Sequence, residues 1–348
     1  MGEPRRTSLL VTTALAPRSA AWDALVDHAP VPSPFLRAWW LDVVAGDRAH
    51  HLLVEQDGEL VGGLPLVRDR LLGVPRFRFA GQGVLCPDHL DLLALPGHED
   101  AVATAVARWF TASGTRVLDL TGLTDDSRLC AALGLMPERV DSAPYQPLPP
   151  TGEDYLSTRS SNFRRATRKA DRRLVEDGVV HRRATAATLS ADVASFRRLS
   201  GDREGRGPLL AELPRLERAL AAGLERGEAR VDVLESPTEV VAVSIAFEAV
   251  GRLSLYQTAR SLDRRHGSAA TVLLARLIDE AVAAGFSEVD MLRGAEAYKA
   301  SFADEVRGVH RLRAGHGAPA RALVSARRGV VRLRPYVEGL LARVRRST

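Results

Sequence analysis

The sequence predicts an α/β chain of the α+β kind, built as two similar units in tandem, each a mixed, mainly antiparallel sheet flanked by helices. Three observations point there. Strand and helix patterns follow one another in a similar mix in both halves, although no sequence repeat is visible. The stretch Ala143-Pro-Tyr-Gln-Pro-Leu-Pro-Pro150 is too rich in proline for a helix and marks a boundary. A length of 348 residues with 45% hydrophobic content supplies two cores of ordinary size. The expected units are 1–150 and 151–316, with a tail at 317–348.

In the first unit, Leu9-Leu10-Val11 begins a strand. Arg5 and Arg6 ahead of it give a faint signal-peptide pattern, but the apolar run is short and followed by threonines, so a strand is the better reading. His51–Glu55 and Glu59–Val67 flank Asp57-Gly58, a hairpin signal. Phe77–Phe79 continues the sheet, Asp100–Thr111 has helical periodicity, Arg116–Leu120 is a strand, and Asp126–Leu133 is a short helix. In the second unit a helix is expected from about Gly152 to Asp177, stopping at Gly178. Val179–Arg183 is a strand. Helices near Leu189–Leu199 and Leu209–Arg226 are separated by the Gly/Arg-rich loop Gly201–Pro208. Strands at Arg230–Leu234, Val240–Val250 and Arg252–Thr258 lead to a helix at Gly267–Ala284, then strands at Glu288–Leu292 and Val306–Arg313.

The net charge of +5 suits anionic partners without choosing among phosphate-bearing ligands, RNA and a membrane surface. Cys86 and Cys130 form neither a disulfide framework nor a metal-ligand spacing, so a reducing cytoplasm is expected. His28, His50, His51, His89, His98, His181, His310 and His316 show no ligand spacing either, and no metal is expected. No run approaches the roughly 20 apolar residues of a membrane helix. Of 48 basic residues besides histidine, only Lys169 and Lys299 are lysines. A lysine in so arginine-biased a chain marks a place where a compact ammonium serves and a guanidinium does not, or is a chance survivor.

Three stretches carry chemistry. Arg264-Arg-His-Gly-Ser-Ala269 follows a strand and opens a helix, where unpaired N–H groups and the positive dipole end make an anion site. Gly267 allows close approach, Ser268 and Ala269 leave the first turn open, and Arg264 and Arg265 add charge. Asp290-Met-Leu-Arg-Gly-Ala-Glu-Ala-Tyr-Lys299 ends a strand in a glycine and then presents an acid, a tyrosine and a lysine. On the helix Phe163–Leu174, Arg164, Arg165, Arg168, Lys169, Arg172 and Arg173 fill one half of the wheel. Phe163, Ala166, Ala170 and Leu174 fill the other. The cationic half meets solvent or an anion. The tail, with Arg321, Arg327, Arg328, Arg332, Arg334, Arg343, Arg345 and Arg346 against Glu338, is either a packing helix or a peripheral contact with membrane or nucleic acid.

The Arg-x-x-Gly-x-Ala pattern resembles the acyl-CoA pyrophosphate loop of the GNAT superfamily. Asp290–Lys299 resembles the signature of acetyltransferases associated with cellulose biosynthesis, the CelD/BcsL-type family, which is itself similar to the two-domain FemABX aminoacyl ligases. Ser33-Pro-Phe-Leu-Arg-Ala-Trp-Trp40, Gly62–Val67 and Ser160–Leu174 resemble further pieces of that family, so the likeness spans about 30–315. Ala295 and Ser301-Phe302 depart from its pattern.

The resemblance implies two tandem GNAT-like domains and direct acyl transfer from acetyl-CoA or another acyl-CoA to a small-molecule or saccharide acceptor. Arg264, Arg265, His266, Gly267, Ser268 and Ala269 would bind the donor's pyrophosphate. Glu296 or Asp290 would act as base or orient a water, Tyr298 would protonate the leaving group or simply pack, and Lys299 would stabilise developing negative charge. Tyr256 and Gln257 would line the cleft. Arg293 would pair with Asp290 or hold substrate, and Arg164 and Arg168 would meet a phosphate-bearing partner. No Ser/His/Asp or Cys/His arrangement suggests an acyl-enzyme. Two rival readings are a FemABX-like transferase that takes its acyl group from aminoacyl-tRNA, and a non-catalytic GNAT-like binding protein.

Overall fold

A computed structural model of the chain describes residues 6–201, 204–294 and 296–326. The first half contains strands β1 (Thr7–Thr12), β2 (Ala49–Gln56), β3 (Glu59–Leu71), β4 (Val74–Phe79), β5 (Leu93–Ala94), β6 (Arg116–Leu123) and β7 (Glu138–Pro147). Its helices are α1 (Ser19–Asp27), α2 (Ala38–Ala45), α3 (Glu99–Thr111) and α4 (Arg128–Leu133). The second half contains β8 (Val180–Arg183), β9 (Ala229–Glu235), β10 (Val240–Ala249), β11 (Arg252–Arg260), β12 (Glu288–Asp290) and β13 (Glu305–His316). Its helices are α5 (Ser161–Glu176), α6 (Leu189–Ser200), α7 (Gly207–Glu225) and α8 (Ala269–Ala283).

These strands form one mixed sheet in the order β1-β2-β3-β4-β6-β13-β7-β12-β11-β10-β9-β8, with β5 beside β3. The order is written twice. β1 to β4 are antiparallel, and a crossover through α3 lays β6 parallel to β4. β8 to β11 are antiparallel, and a crossover through α8 lays β12 parallel to β11. The last strand of each half is exchanged. β13 inserts between β6 and β7, and β7 lies between β13 and β12. The proline-rich stretch expected to separate the units is therefore, as far as Pro147, a strand at the middle of the sheet. Pro144 keeps its carbonyl in use there, accepting from the Met291 N–H at 2.9 Å.

Alternation along the central strands sends side chains into two cores. Val243, Ile245 and Phe247 of β10 point into a core shared with the first half, where Phe35, Trp39 and Trp40 meet Phe247 and Tyr256. Ala242 and Ala246 point the other way, under α5 and α8. The aromatic run of the Ser33–Trp40 motif thus seals the two halves together.

Helix α5 starts later than its periodicity predicts. Asp154 caps a short 3-10 turn at Tyr155–Thr158, and the Ser160 hydroxyl accepts from the Phe163 N–H to open the helix proper. Thr167, rather than Ala166, joins Leu174 on its buried side. Residues 318–326 are helical, and the arginine-rich tail from Arg327 onward lies outside the described residues. Among the described residues no helix is long and apolar enough to cross a membrane.

Buried His51 on β2 makes stability depend on pH. Burial, then neighbouring His50, holds its imidazole down at about 4 from an ordinary 6.5. The unfolded chain takes up a proton below 6.5 that the native state refuses. This contribution is complete above 6.5 and is lost as pH falls toward about 4. Urea unfolding should therefore show falling stability as the pH drops below 6.5, with a shallower fall in His51→Phe. Equal slopes in the two proteins would contradict it.

Candidate active site

Strands β11 and β12 pair through only three residues, ending at Ser254 opposite Asp290, and then part. Among the described residues, no strand neighbours one edge of β11 from Leu255 onward. On its other edge Ile245 faces Gln257 and Ala246 faces Leu255, so Tyr256 is the extra residue of a bulge. A cavity of about 1060 Å³ opens in the gap, at the top of the size range of small-molecule sites.

One wall is the start of α8. Ser268 provides no side-chain cap, so the first-turn N–H groups are left without intrahelical partners and carry the helix's positive end. Gly267, Ala270 and Thr271 line the cavity at this end. Gly267 has ordinary helical dihedrals (φ −55°), so its value here is small size, not conformational freedom. Arg265 turns away to Asp263 at 2.7 Å, Arg264 is exposed in the preceding turn, and His266 and Ala269 are buried.

The opposite wall is the chain that leaves β12. Leu292 is held in the left-handed region (φ 54°), a costly place for a branched side chain. Three bonds over-determine it: its N–H donates to Asp290 Oδ1 at 2.7 Å, and Lys299 Nζ donates to the carbonyls of Leu292 at 3.1 Å and Arg293 at 2.7 Å. Gly294 follows with φ 119°, and a Cβ there would meet Glu296 Oε2 at 2.3 Å, so only glycine lets that carboxylate fold back. Glu296 contacts Lys299 Nζ at 3.0 Å. The three donors of the buried ammonium are thereby all engaged, and its work in this structure is to hold the turn.

Glu296 and Tyr298 face the cavity. Burial raises the Glu296 carboxyl, but the Lys299 contact outweighs it, so its pKa is lowered and it is ionised at neutral pH. Burial, then the charge of Glu296, pushes the Tyr298 phenol up to about 12, so it keeps its proton. Tyr256 is locked, its hydroxyl donating to the Leu85 carbonyl at 2.7 Å, while Gln257 accepts from Arg206.

Asp290 lies beneath this wall with no exposure. His89 Nε2 approaches its carboxylate at 2.7 Å and Arg252 donates at 2.8 Å. Burial alone would raise its pKa, but His89 and Arg252 hold it well below the usual carboxylate range. Arg293 pairs with Asp88 rather than with Asp290: its backbone N–H and Nε both donate to the Asp88 carboxylate, and Nη2 donates to the Pro87 carbonyl at 2.6 Å. The loop Pro87-Asp88-His89 of the first half therefore clamps both ends of the Asp290–Arg293 turn. Nothing local in the sequence marks this loop, since His89 has no metal-ligand spacing, and Arg206 lies in a Gly/Arg-rich stretch whose pattern is that of a connector between helices. Arg164 and Arg168 are not on the cavity wall; they bond to the Ser157 carbonyl and to Asp154. Among the described residues no group of three or more His, Cys, Asp or Glu is placed to hold a metal ion.

The corresponding gap in the first half is filled. Beyond Phe77–Leu118, where β4 and β6 stop pairing, the Gln82 amide takes the place of backbone. Its Nε2 donates to the Asp119 carbonyl at 2.8 Å and its Oε1 accepts from Thr121 N–H at 3.0 Å. Leu90 then bridges to Leu123.

A family model described as an acetyltransferase (GNAT) domain matches residues 161–300, the stretch that holds both walls of the cavity. A search of curated proteins by sequence gives no match. Among solved structures, FemX is similar with a TM-score of 0.63 at 12% identity, covering 87% of this chain and 96% of that one. L-PGS from Bacillus licheniformis gives 0.58 at 12%, covering 90% and 95%. The C-terminal domain of a putative lysylphosphatidylglycerol synthetase from Agrobacterium fabrum gives 0.57 at 13%, covering 90% and 96%. At these identities the likeness is one of fold, and the fold is that of GNAT acyltransferases, two units in tandem.

Removing the Asp88 carboxylate leaves the Arg293 backbone N–H without a partner and the guanidinium without its counter-ion, held only by the Pro87 carbonyl. Asp88→Ala should lower the unfolding free energy by about 3–5 kcal/mol, read from urea denaturation at pH 7. An unchanged midpoint would show that the clamp does not hold the turn. Asp290 adds a pH dependence: with its folded pKa lowered, its contribution is complete above 3.8 and is lost as pH falls below that value.

Proposed function

We propose that this GNAT fold catalyses acyl transfer from an acyl-CoA, acetyl-CoA being the first choice, to an amine or hydroxyl of a small-molecule or saccharide acceptor within the cavity between β11 and the Met291–Gly294 turn, where Gly83, Val84 and Cys86 of the first half complete the lining. The observation that carries the reading is the parting of β11 from β12 directly beneath the uncapped start of α8. Diphosphate would sit on the N–H groups at Gly267–Thr271, with Arg264 adding long-range attraction while Arg265 stays paired with Asp263. The thioester arm would run into the gap, alongside the free edge of β11. The bulge at Tyr256 leaves backbone N–H groups there to meet the carbonyl oxygen as negative charge develops.

Each remaining residue has a task its state permits. Glu296, ionised and on the wall, takes the acceptor's proton directly or through water. Tyr298, still protonated at neutral pH, returns one to the departing thiolate. Lys299 acts as a positioning residue for both, through the turn it holds. Asp290 sets the floor and takes no part in proton transfer. A cavity near 1060 Å³ has room for donor and acceptor together, as direct transfer in a ternary complex requires.

A second reading takes the acyl group from aminoacyl-tRNA, in keeping with the lysyl group in the name of the lysylphosphatidylglycerol synthetase structure. The exposed cationic face of α5 favours it. The third, a non-catalytic binding protein, would bind donor and turn over nothing.

Thermal-shift titration separates them. A donor at a hundredfold excess over its Kd adds about 2.7 kcal/mol of stability, which raises Tm by several degrees. Acetyl-CoA or a longer acyl-CoA should produce the shift, and Lys299→Ala should abolish turnover while also lowering Tm. A shift with charged tRNA alone, weakening steeply with salt, would overturn the acyl-CoA reading. Unchanged turnover in Lys299→Ala would remove that residue from the site.

A further inference from the structure

The cavity carries a cation that donor binding does not call for. Of the other basic side chains on its walls, Arg293 is paired with Asp88, Lys299 with Glu296, and Arg260, at the outer end of β11, donates to the Ser261 carbonyl at 3.0 Å. Arg206, where the 201–206 loop enters α7, makes no ion pair among the described residues. Its partner is neutral: Nη1 donates to Oε1 of Gln257. A half-buried guanidinium on a cavity wall, fixed by one amide and, although Glu204 lines the same cavity, with no carboxylate in ion-pair reach among the described residues, has donors left over for an anion from outside.

Its position argues against the donor's phosphates as that anion. Gln257 lies three residues inward from Arg260, about 10 Å along the strand, whereas the N–H groups at the start of α8 follow from the outer end of β11. Across the cavity stands Glu296, 57% exposed, beyond ion-pair reach of Arg206 but close enough to feel its charge. A positive group and a negative group thus face each other over the space where the acceptor must lie.

We propose that the acceptor is a zwitterion of the amino-acid class, its carboxylate held by Arg206 and its ammonium placed beside Glu296. A guanidinium grips a carboxylate through two parallel N–H bonds, which fixes the amine's direction as well as its distance. The chemistry balances. The ammonium loses one proton to Glu296 and on to water, and the free amine attacks the thioester carbonyl. A C–N bond forms, the C–S bond breaks, and the second nitrogen proton ends on the thiolate by way of Tyr298. The products are an N-acyl amino acid, free CoA thiol and one proton in solution.

This inference rests on the acyl-CoA reading for its reaction but not for its binding site, so the two can fail separately. The test measures CoA thiol release with acetyl-CoA and a panel of amino acids, including β- and γ-amino acids, each paired with its carboxamide. Acids should be used at least tenfold better than amides. Arg206→Ala should raise KM for the acid at least tenfold and erase the acid-over-amide preference, while acetyl-CoA still stabilises the variant. Arg206→Lys should recover part of the preference. Amides used as well as acids, or a preference that survives Arg206→Ala, would overturn the proposal. If acetyl-CoA neither stabilises nor reacts, the donor reading has failed, and calorimetry with the same panel decides the acceptor site. Binding of amino acids to the parent protein that is lost in Arg206→Ala supports it. The same affinity in both proteins, or none in either, refutes it.

Discussion

The clamp of Pro87-Asp88-His89 on the Asp290–Arg293 turn is the interaction on which the rest of the structure depends. Asp290 and Asp88 are both fully buried, and a buried carboxylate is tolerable only when cations and N–H groups surround it. His89, Arg252 and the Leu292 N–H serve Asp290, and Arg293 serves Asp88 twice. Arg307 extends the network to Glu288 and over the ring of Tyr145. These partners come from both halves of the chain. The charge network therefore closes the interface and, with the same bonds, sets the left-handed Leu292 that turns the chain away from β11 and opens the cavity.

The exchange of β7 and β13 makes that coupling unavoidable. Neither half completes its sheet without a strand of the other, so the two gaps beside β4 and β11 are fixed by one continuous structure. The halves then diverge through a few side chains. Gln82 satisfies the backbone where β4 and β6 part, and the first half closes. In the second half no side chain among the described residues takes that place, and α8 instead presents an N-terminus without a side-chain cap to the gap.

Much of this was legible in the sequence. Periodicity and turn chemistry locate most strands and helices to within a few residues, and the Asp57-Gly58 hairpin falls where the dipeptide puts it, with both residues at positive φ. Asp290–Lys299 and Arg264–Ala269 do meet, on facing walls of one cavity. What stayed hidden depends on contacts distant in sequence. Nothing local says that Asp88 and Arg293, 205 positions apart, are partners, or that a proline-rich stretch is a central strand. Nor does spacing separate a lysine aimed at substrate from one whose three donors hold a turn, as Lys299 does. Arg206 becomes visible only when the partners of Arg293 and Lys299 are known.

The central claim is that the gap between β11 and the Met291–Gly294 turn receives a CoA thioester. The most direct measurement is a crystal structure of the protein soaked or grown with acetyl-CoA. The account predicts diphosphate density against the backbone of Gly267–Thr271 and the thioester arm alongside Leu255–Thr258. Density for the ligand elsewhere, or a gap that stays closed to it at saturating concentration, would contradict the account.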